Sequence, residues 1–431
     1  MIRQLGMKNQ FRIEQLGRSF KERLGIWSTE KKSVKTPAVW IATQGGAIPN
    51  LTPETIRYLT SNAKFAGLLI PFQYHTRDVE VLEKFKKGID AFMGLEPQQW
   101  NILVAPQDPG VDLRLGYHTN KEISLWDSVG NRVPVNFALY NRAIHAMRPD
   151  AYVPLCDGET PKDCPKKRVA KATAKSLSFL DQHLEKTCYK ENSDINVDPP
   201  SHTKKDSLIF GAVEGGFDVE ARKVSAKQVA ERPVDGFLID GFCFKIEQAI
   251  KLNYEEDIDK VVSEGVIPNL PEDKLRLYFG ICSPKIVVKL VSAGVDMFDT
   301  SYARYATEQG QALVFQNTLE NPRDASKILL NESLITDKID ESDGKCCDNV
   351  DFIDLKDPKF KNDFRPVSET CICYTCRKHT RAYVNHLLAT NEMLAPVLLT
   401  IHNLHHYATF FETIQKSIQN ESFHRLTKIF M

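Results

Sequence analysis

Short, unbroken apolar runs alternate along this chain with longer stretches of mixed polarity. Ala38-Val-Trp-Ile-Ala42, Ala151 to Leu155, Leu208 to Val213, Gly236 to Ile239, Leu277 to Ile281 and Met297 to Asp299 read as strands. A continuous apolar run of roughly 4–8 residues is what a strand covered on both faces requires. Segments with helical character lie between them: Leu51 to Leu59, with Thr52 as cap and Pro53 in the first turn, then Pro165 to Lys186, Ser225 to Glu231, Phe244 to Leu252 and Ser283 to Ala293. Strands alternating with helices predict a parallel sheet, because a parallel connection needs a crossover long enough to hold a helix. Repeated this often, the pattern predicts an α/β fold closed as a (β/α)8 barrel of the TIM type. The open, doubly wound alternative lacks its mark, a glycine-rich phosphate loop at the first strand-to-helix turn. In a barrel the C-terminal strand ends carry function, and Glu214, Asp240 and Asp299 fall at such ends.

The pattern breaks twice. Lys190 to Lys205 is polar, contains Asp198-Pro-Pro-Ser201, and reads as a surface loop. Asn321 to Glu369 is acidic and irregular, centred on Asp337-Lys-Ile-Asp-Glu-Ser-Asp-Gly344. The organisation that follows is a barrel over residues 1–320, an acidic link over 321–369, and a subdomain with C-terminal helices over 370–431 that completes the barrel. Within the last part, Thr380 to Leu388 reads as a helix, Pro396 interrupts, and Leu398 to Ile418 forms a second, amphipathic helix.

With 431 residues, 42% of them hydrophobic, the chain can bury a large core. Lys+Arg and Asp+Glu balance at 56 each, which argues against wholesale electrostatic capture of nucleic acid and leaves only local basic faces. The N-terminus has no apolar leader, and no run reaches the length of a membrane span, so a reducing, cytosolic setting is expected. There, clustered cysteines point to metal rather than to disulfides. Of the 10 cysteines, Cys371, Cys373 and Cys376 alone form a tight cluster. Thiols at this spacing converge from a tight turn onto one ion, and His402 can close a Cys₃His set, a standard tetrahedral zinc ligand set. With every position filled by protein, the zinc, one per subunit, has a structural role. His405 and His406 are rival fourth ligands, expected on the surface or flank of their helix. Cys346 and Cys347 are adjacent and read as bystanders, since neighbouring residues rarely chelate one metal well.

Cys371-x-Cys373-x-x-Cys376, Thr380-Arg-Ala-Tyr-Val-Asn-His-Leu-Leu388, Asn391-Glu-Met-Leu394 and Leu398-Leu-Thr-Ile-His-Asn-Leu404 with Tyr407 closely resemble the zinc subdomain of tRNA-guanine transglycosylases. Earlier blocks agree in order: Thr36-Pro-Ala-Val39, Phe92-Met93, Ile102-Leu103, Cys156-Asp-Gly-Glu-Thr-Pro161, Gly211-Ala-Val-Glu-Gly-Gly216 with Arg222, Ser225 and Ala226, and Gly294-Val-Asp-Met-Phe-Asp299. The resemblance therefore spans nearly the whole chain. It implies a (β/α)8 barrel with a zinc subdomain, dimerisation involving that subdomain, and a place in the exchange of guanine for queuine at the tRNA wobble position, the route to queuosine.

That exchange needs one carboxylate as nucleophile on the ribose and another to manage protons. By resemblance, Asp299 holds the nucleophile position. Where active members carry Thr-Asp-Ser-Gly-Gly-Phe-Gln, this chain runs Val104-Ala-Pro-Gln-Asp-Pro-Gly110, so the proton-carrying aspartate falls near Ala105. Asp108 lies three residues on, between prolines. Glu214 stands for the family's glutamine and replaces an amide donor with an acceptor-only carboxylate. Asp240-Gly241 stands for a glycine pair, and Thr300-Ser-Tyr-Ala-Arg-Tyr305 for Cys-x-x-Pro-Thr-Arg, with Arg304 one position off. Asp157 keeps the place of a base-recognising aspartate.

These departures resemble a noncatalytic subunit of the family. The resemblance then implies no catalytic residue, a vestigial nucleophile at Asp299, and a heterodimer with a catalytic queuine tRNA-ribosyltransferase subunit that this chain helps to bind and orient tRNA. The alternative is an active transglycosylase that uses Asp299 with Asp108 or Asp157. Lys162, Lys166, Lys167, Arg168, Lys171 and Lys175, and separately Arg377, Lys378 and Arg381 with His379, form basic stretches that suit either RNA phosphates or plain solvent. The resemblance also makes peripheral attachment to the mitochondrial outer membrane an expectation, which no segment of the chain encodes.

Overall fold

The apolar runs are barrel staves. The computed structural model describes residues 10–18, 20–60, 63–96, 99–112, 116, 119, 121–188, 207–242, 254–315 and 351–431. Its strands, numbered along the chain, are β1 (Gln10–Leu16), β2 (Arg23–Ser28), β3 (Ser33–Thr36), β4 (Ala38–Ala42), β5 (Leu68–Pro71), β6 (Ile102–Ala105), β7 (Glu122–Trp126) and β8 (Arg132–Asn136). The rest are β9 (Ala151–Tyr152), β10 (Leu208–Val213), β11 (Gly236–Ile239), β12 (Leu275–Tyr278), β13 (Met297–Asp299), β14 (Gln311–Leu313) and β15 (Phe352–Asp354). In the order β4-β5-β6-β9-β10-β11-β12-β13, eight parallel strands close into a barrel when β13 pairs back onto β4.

Alternation along each strand builds two apolar layers. Trp40, Leu69, Leu103, Phe210, Leu238, Leu277 and Met297 fill the barrel. Val39, Ile41, Ile70, Val104, Val213, Phe237 and Phe298 face the surrounding helices. Both layers are buried, so the strands carry little polar alternation. Ala105, like Leu103, points inward, at the C-terminal end of β6.

The N-terminal β1-β2-β3 sheet is antiparallel and was not read from the sequence. It plugs the barrel floor: Trp27 of β2 is fully buried, with its ring centroid 5.5 Å from that of Trp40. Arg23 locks the sheet in place through a buried bidentate pair with Asp296, Nε to Oδ1 at 2.7 Å and Nη2 to Oδ2 at 2.5 Å. Two expected strands are corrected at their edges. The run from Ala151 is a strand only to Tyr152, and the run expected to start at Leu277 starts at Leu275 and stops at Tyr278. Gly280, with φ of 136°, turns the chain out of β12 into the barrel mouth. The helix expected from Ser225 begins at Val219, where Asp218 caps it by accepting the N–H groups of Glu220 and Ala221. The helix expected over Ser283 to Ala293 spans Pro284–Ala293, with Ser283 as its cap. The expected helix at Phe244–Leu252, the loop at Lys190–Lys205, and Cys346 and Cys347 lie outside the described residues.

After the barrel, β14 pairs antiparallel with β15, so the end of the acidic segment is not irregular. Ala312, Leu355, Phe360, Val384, Leu387 and Leu398 form a separate small core there. The helix Leu394–Gln419 then runs unbroken. Pro396 does not interrupt it, because it sits in the first turn, where the missing N–H has no intrahelical acceptor to lose. No helix among the described residues is long and apolar enough to cross a membrane.

Candidate metal centre and barrel mouth

Cys373 caps the short helix Tyr374–Lys378, its Sγ accepting the Cys376 N–H at 3.4 Å. That one turn brings Cys371, Cys373 and Cys376 together, and His402 reaches them from the third turn of Leu394–Gln419. The four ligand atoms lie within 4.8 Å of one another. His402 Nδ1 is 3.6 Å from Cys373 Sγ and 3.3 Å from Cys376 Sγ. A tetrahedral zinc with ordinary bond lengths has sulfur–nitrogen edges of about 3.5 Å, so the donor set fits one ion. The second imidazole nitrogen, Nε2, donates to Leu313 O at 2.8 Å, which fixes the ring so that Nδ1 faces the sulfurs. Asn403, next along, holds the same strand by accepting Leu313 N–H and donating to Gln311 O, both at 2.9 Å. Burial alone would lower the His402 imidazole, but the Cys373 and Cys376 sulfurs push it up to about 10.

His405 and His406 are not on the surface, as had been expected. Both are buried, because this helix crosses the core and has no solvent face at that level. His406 donates to Phe315 O at 3.0 Å, and burial holds its imidazole down to about 3. His405 Nδ1 approaches Cys371 Sγ at 3.5 Å, a neighbour of the cluster but outside the group of four.

The second candidate site is the barrel mouth, a cavity of about 90 Å³ lined by Ala105, Asp108, Cys156, Asp240, Gly241 and Tyr278 among others. Ligand pockets ordinarily enclose about 300 Å³ or more. Of the carboxylates that could carry the base-exchange chemistry, Asp108, Asp157 and Asp299 are already engaged. Asp108 is buried, accepts from Arg304 Nη1 at 2.9 Å and from the Tyr74 hydroxyl at 2.7 Å, and caps Gly110 N–H at 2.8 Å. Asp157 accepts both guanidinium nitrogens of Arg168, at 2.6 and 3.1 Å, with Lys175 Nζ at 3.6 Å. Arg168 and Lys175 therefore turn inward, while Lys166, Lys167 and Lys171 face solvent. Arg381, read as part of a basic strip, instead binds Asp363 and the carbonyls of Pro366 and Val367.

Asp299 points into the mouth from the end of β13. It accepts Gly280 N–H at 2.5 Å, Ser301 N–H at 2.6 Å and the Ser301 hydroxyl. Both of its oxygens are thus engaged, Oδ1 by its own turn and Oδ2 by the loop that follows β12. Burial outweighs those hydrogen bonds and raises the carboxyl to about 6. A carboxyl raised on folding supports stability below its unfolded value, near 3.8, and that support is lost as pH rises through about 6. The unfolding free energy of Asp299→Asn minus that of the parent should thus climb by about 2 kcal/mol between pH 4 and 8, in favour of the variant. Urea titrations across that range check this, and a flat difference would refute the raised value.

Glu214 is fully buried; among the described residues no N–H or hydroxyl donor reaches its oxygens, and the Asp240 carboxyl lies within hydrogen-bonding reach. Burial, then the charge of Asp240, pushes its carboxyl well above the usual range. Arg222 lies opposite, fully buried, with Nε donating to Gly216 O at 2.8 Å and Nη1 to Val213 O. The engagement of Asp108 by Arg304 could not be read from sequence, because the two are 196 residues apart.

Comparison with known proteins identifies the family. The family model described as queuine tRNA-ribosyltransferase matches residues 19–431. A protein of Ixodes scapularis named queuine tRNA-ribosyltransferase accessory subunit 2 is 35% identical, with 90% of each chain covered. Proteins of the same name from Danio rerio and Homo sapiens are each 33% identical, covering 92% and 94% of both chains respectively. The match in length, the barrel and the C-terminal cluster coincide: this chain belongs to the queuine tRNA-ribosyltransferase family.

Proposed function

We propose that this protein is the noncatalytic subunit of a heterodimeric queuine tRNA-ribosyltransferase, pairing with a catalytic homologue and helping to bind and orient tRNA for exchange of guanine at the wobble position. The observation that carries the reading is the Asp108–Arg304 ion pair beside an inward-facing Ala105. The mouth has lost its proton-carrying group, and the nearest replacement is tied to a guanidinium. The other candidate, Asp157, is likewise ion-paired, which removes support from catalysis by Asp299 with either partner. The names of the relatives favour the same conclusion.

The C-terminal cluster is read as a structural zinc site with Cys371, Cys373, Cys376 and His402 as ligands. It has no open position, so zinc there would supply folding energy and no chemistry on substrate. The adjoining surface exposes Phe364, Ile372 and Met393, at 76%, 49% and 86%. Exposed large apolar groups of this kind suit a partner interface. On the resemblance alone, the reading includes a cytoplasmic location with peripheral attachment to the mitochondrial outer membrane.

The test is base exchange into tRNA by each chain alone and by the two together. This chain alone is expected to show none, and to raise the activity of its homologue on mixing. Exchange by the isolated chain would refute the proposal, as would full activity of the homologue without it.

A further inference from the structure

We propose that Cys156, Glu214 and Asp240 form a second metal site, at the barrel mouth, for a divalent cation of the zinc class. Three neighbouring strands deliver the ligands: Cys156 follows β9, Glu214 directly follows β10 and Asp240 directly follows β11. The sulfur and one oxygen from each carboxylate lie within 4.8 Å of one another. Cys156 Sγ is 3.3 Å from Asp240 Oδ2, against about 3.5 Å for a sulfur–oxygen edge around tetrahedral zinc.

The strongest sign is Glu214. Among the described residues, no N–H or hydroxyl donor reaches either oxygen of this wholly buried carboxyl; it faces the Asp240 carboxyl, and of the charges around it only the Arg222 guanidinium opposes their repulsion. A cation between it, Asp240 and Cys156 supplies a partner. Glycines keep the space clear. A Cβ on Gly241, whose φ is 80°, would come within 2.2 Å of Glu214 Oε2, and one on Gly158 within 3.0 Å of Asp240 Oδ2.

Charge agrees with a divalent ion. Fully ionised, the three ligands against the single guanidinium of Arg222 leave two negative charges, which one divalent cation cancels. A thiolate with two carboxylates is a borderline donor set, which favours zinc over magnesium or calcium. Three protein ligands leave a fourth position, and the adjoining cavity, lined by Cys156 and Asp240, has room for a water there. This site is therefore exchangeable, unlike the closed Cys₃His set, and it would pin three strand ends at the mouth.

The test uses the full chain as purified, dialysed so that the closed C-terminal site keeps its ion, then titrated with Zn²⁺ alone by calorimetry and with Co²⁺ by visible absorption. The parent should take up about one further equivalent, with a thiolate-to-cobalt band. Cys156→Ser should lose the band, and Glu214→Gln should lose at least ten-fold in affinity. The proposal fails if the parent takes no further equivalent, or if both variants bind as the parent does, which would mean adventitious surface sites. Should Cys156→Ser not fold, the near-isosteric Glu214→Gln and the parent's stoichiometry decide. The outcome is independent of the accessory-subunit reading, which stands or falls on the exchange assay.

Discussion

Cys373→Ala and His402→Ala are expected to lose the C-terminal metal and to destabilise the protein by about 4 kcal/mol or more. Both residues are fully buried, so neither loss can be covered by solvent. Structural zinc contributes roughly 10–16 kcal/mol of apparent binding energy to small fingers. Here the surrounding apolar core of Leu355, Val384, Leu387 and Leu398 already supplies part of the folding energy, which is why the expected cost is smaller. His402 should be the more damaging position. Its Nε2 also holds Leu313, so the substitution frees a carbonyl of β14 as well as a metal ligand. Metal content per chain, urea unfolding, and hydrogen exchange over residues 351–431 provide the measurement. Variants that keep both metal and stability would show that these side chains merely pack.

Arg304→Leu is expected to cost 3–5 kcal/mol, approximately the penalty for leaving a buried charge without its partner. Asp108 is 1% exposed, and its remaining donors, the Tyr74 hydroxyl and Gly110 N–H, are neutral. Adding Asp108→Asn should recover most of the loss, since the double variant buries no charge. A double-mutant cycle then gives a coupling energy of about 1–3 kcal/mol, and additivity within about 0.5 kcal/mol would refute direct pairing. Neither variant is expected to gain base exchange, because Ala105 still cannot carry a proton.

The sequence reveals this fold best where burial is two-sided. β4, β10 and β11 stand out because both faces are covered, leaving apolar runs that no helix of that length would need. β1 was missed for the opposite reason. In Gln10-Phe-Arg-Ile-Glu-Gln-Leu16 only alternate residues are partly buried, and what covers them is a barrel floor built from distant segments. The metal cluster was legible because three of its ligands are local. His405 and His406 were misplaced because an amphipathic reading assumes one buried face, whereas Leu394–Gln419 is enclosed on several sides. Ala105 becomes meaningful only beside the family's loop, and its neighbour's ion pair only in three dimensions.

That helix has a further consequence. Its 26 residues span about 39 Å and bind almost everything the chain made earlier. Tyr407 donates to Cys282 O at 2.8 Å, Phe411 packs on Phe298 with ring centroids 5.4 Å apart, Gln415 donates to Pro37 O at 2.8 Å, and Gln15 donates to Ile418 O at 3.0 Å. During synthesis the barrel strands leave the ribosome long before their keystone does. The nascent chain must carry an unsealed barrel, apolar flank exposed, until Leu394–Gln419 emerges. Premature stops before this helix should therefore be as destructive as those near the start of the barrel, and folding should lean on chaperones until the helix is made.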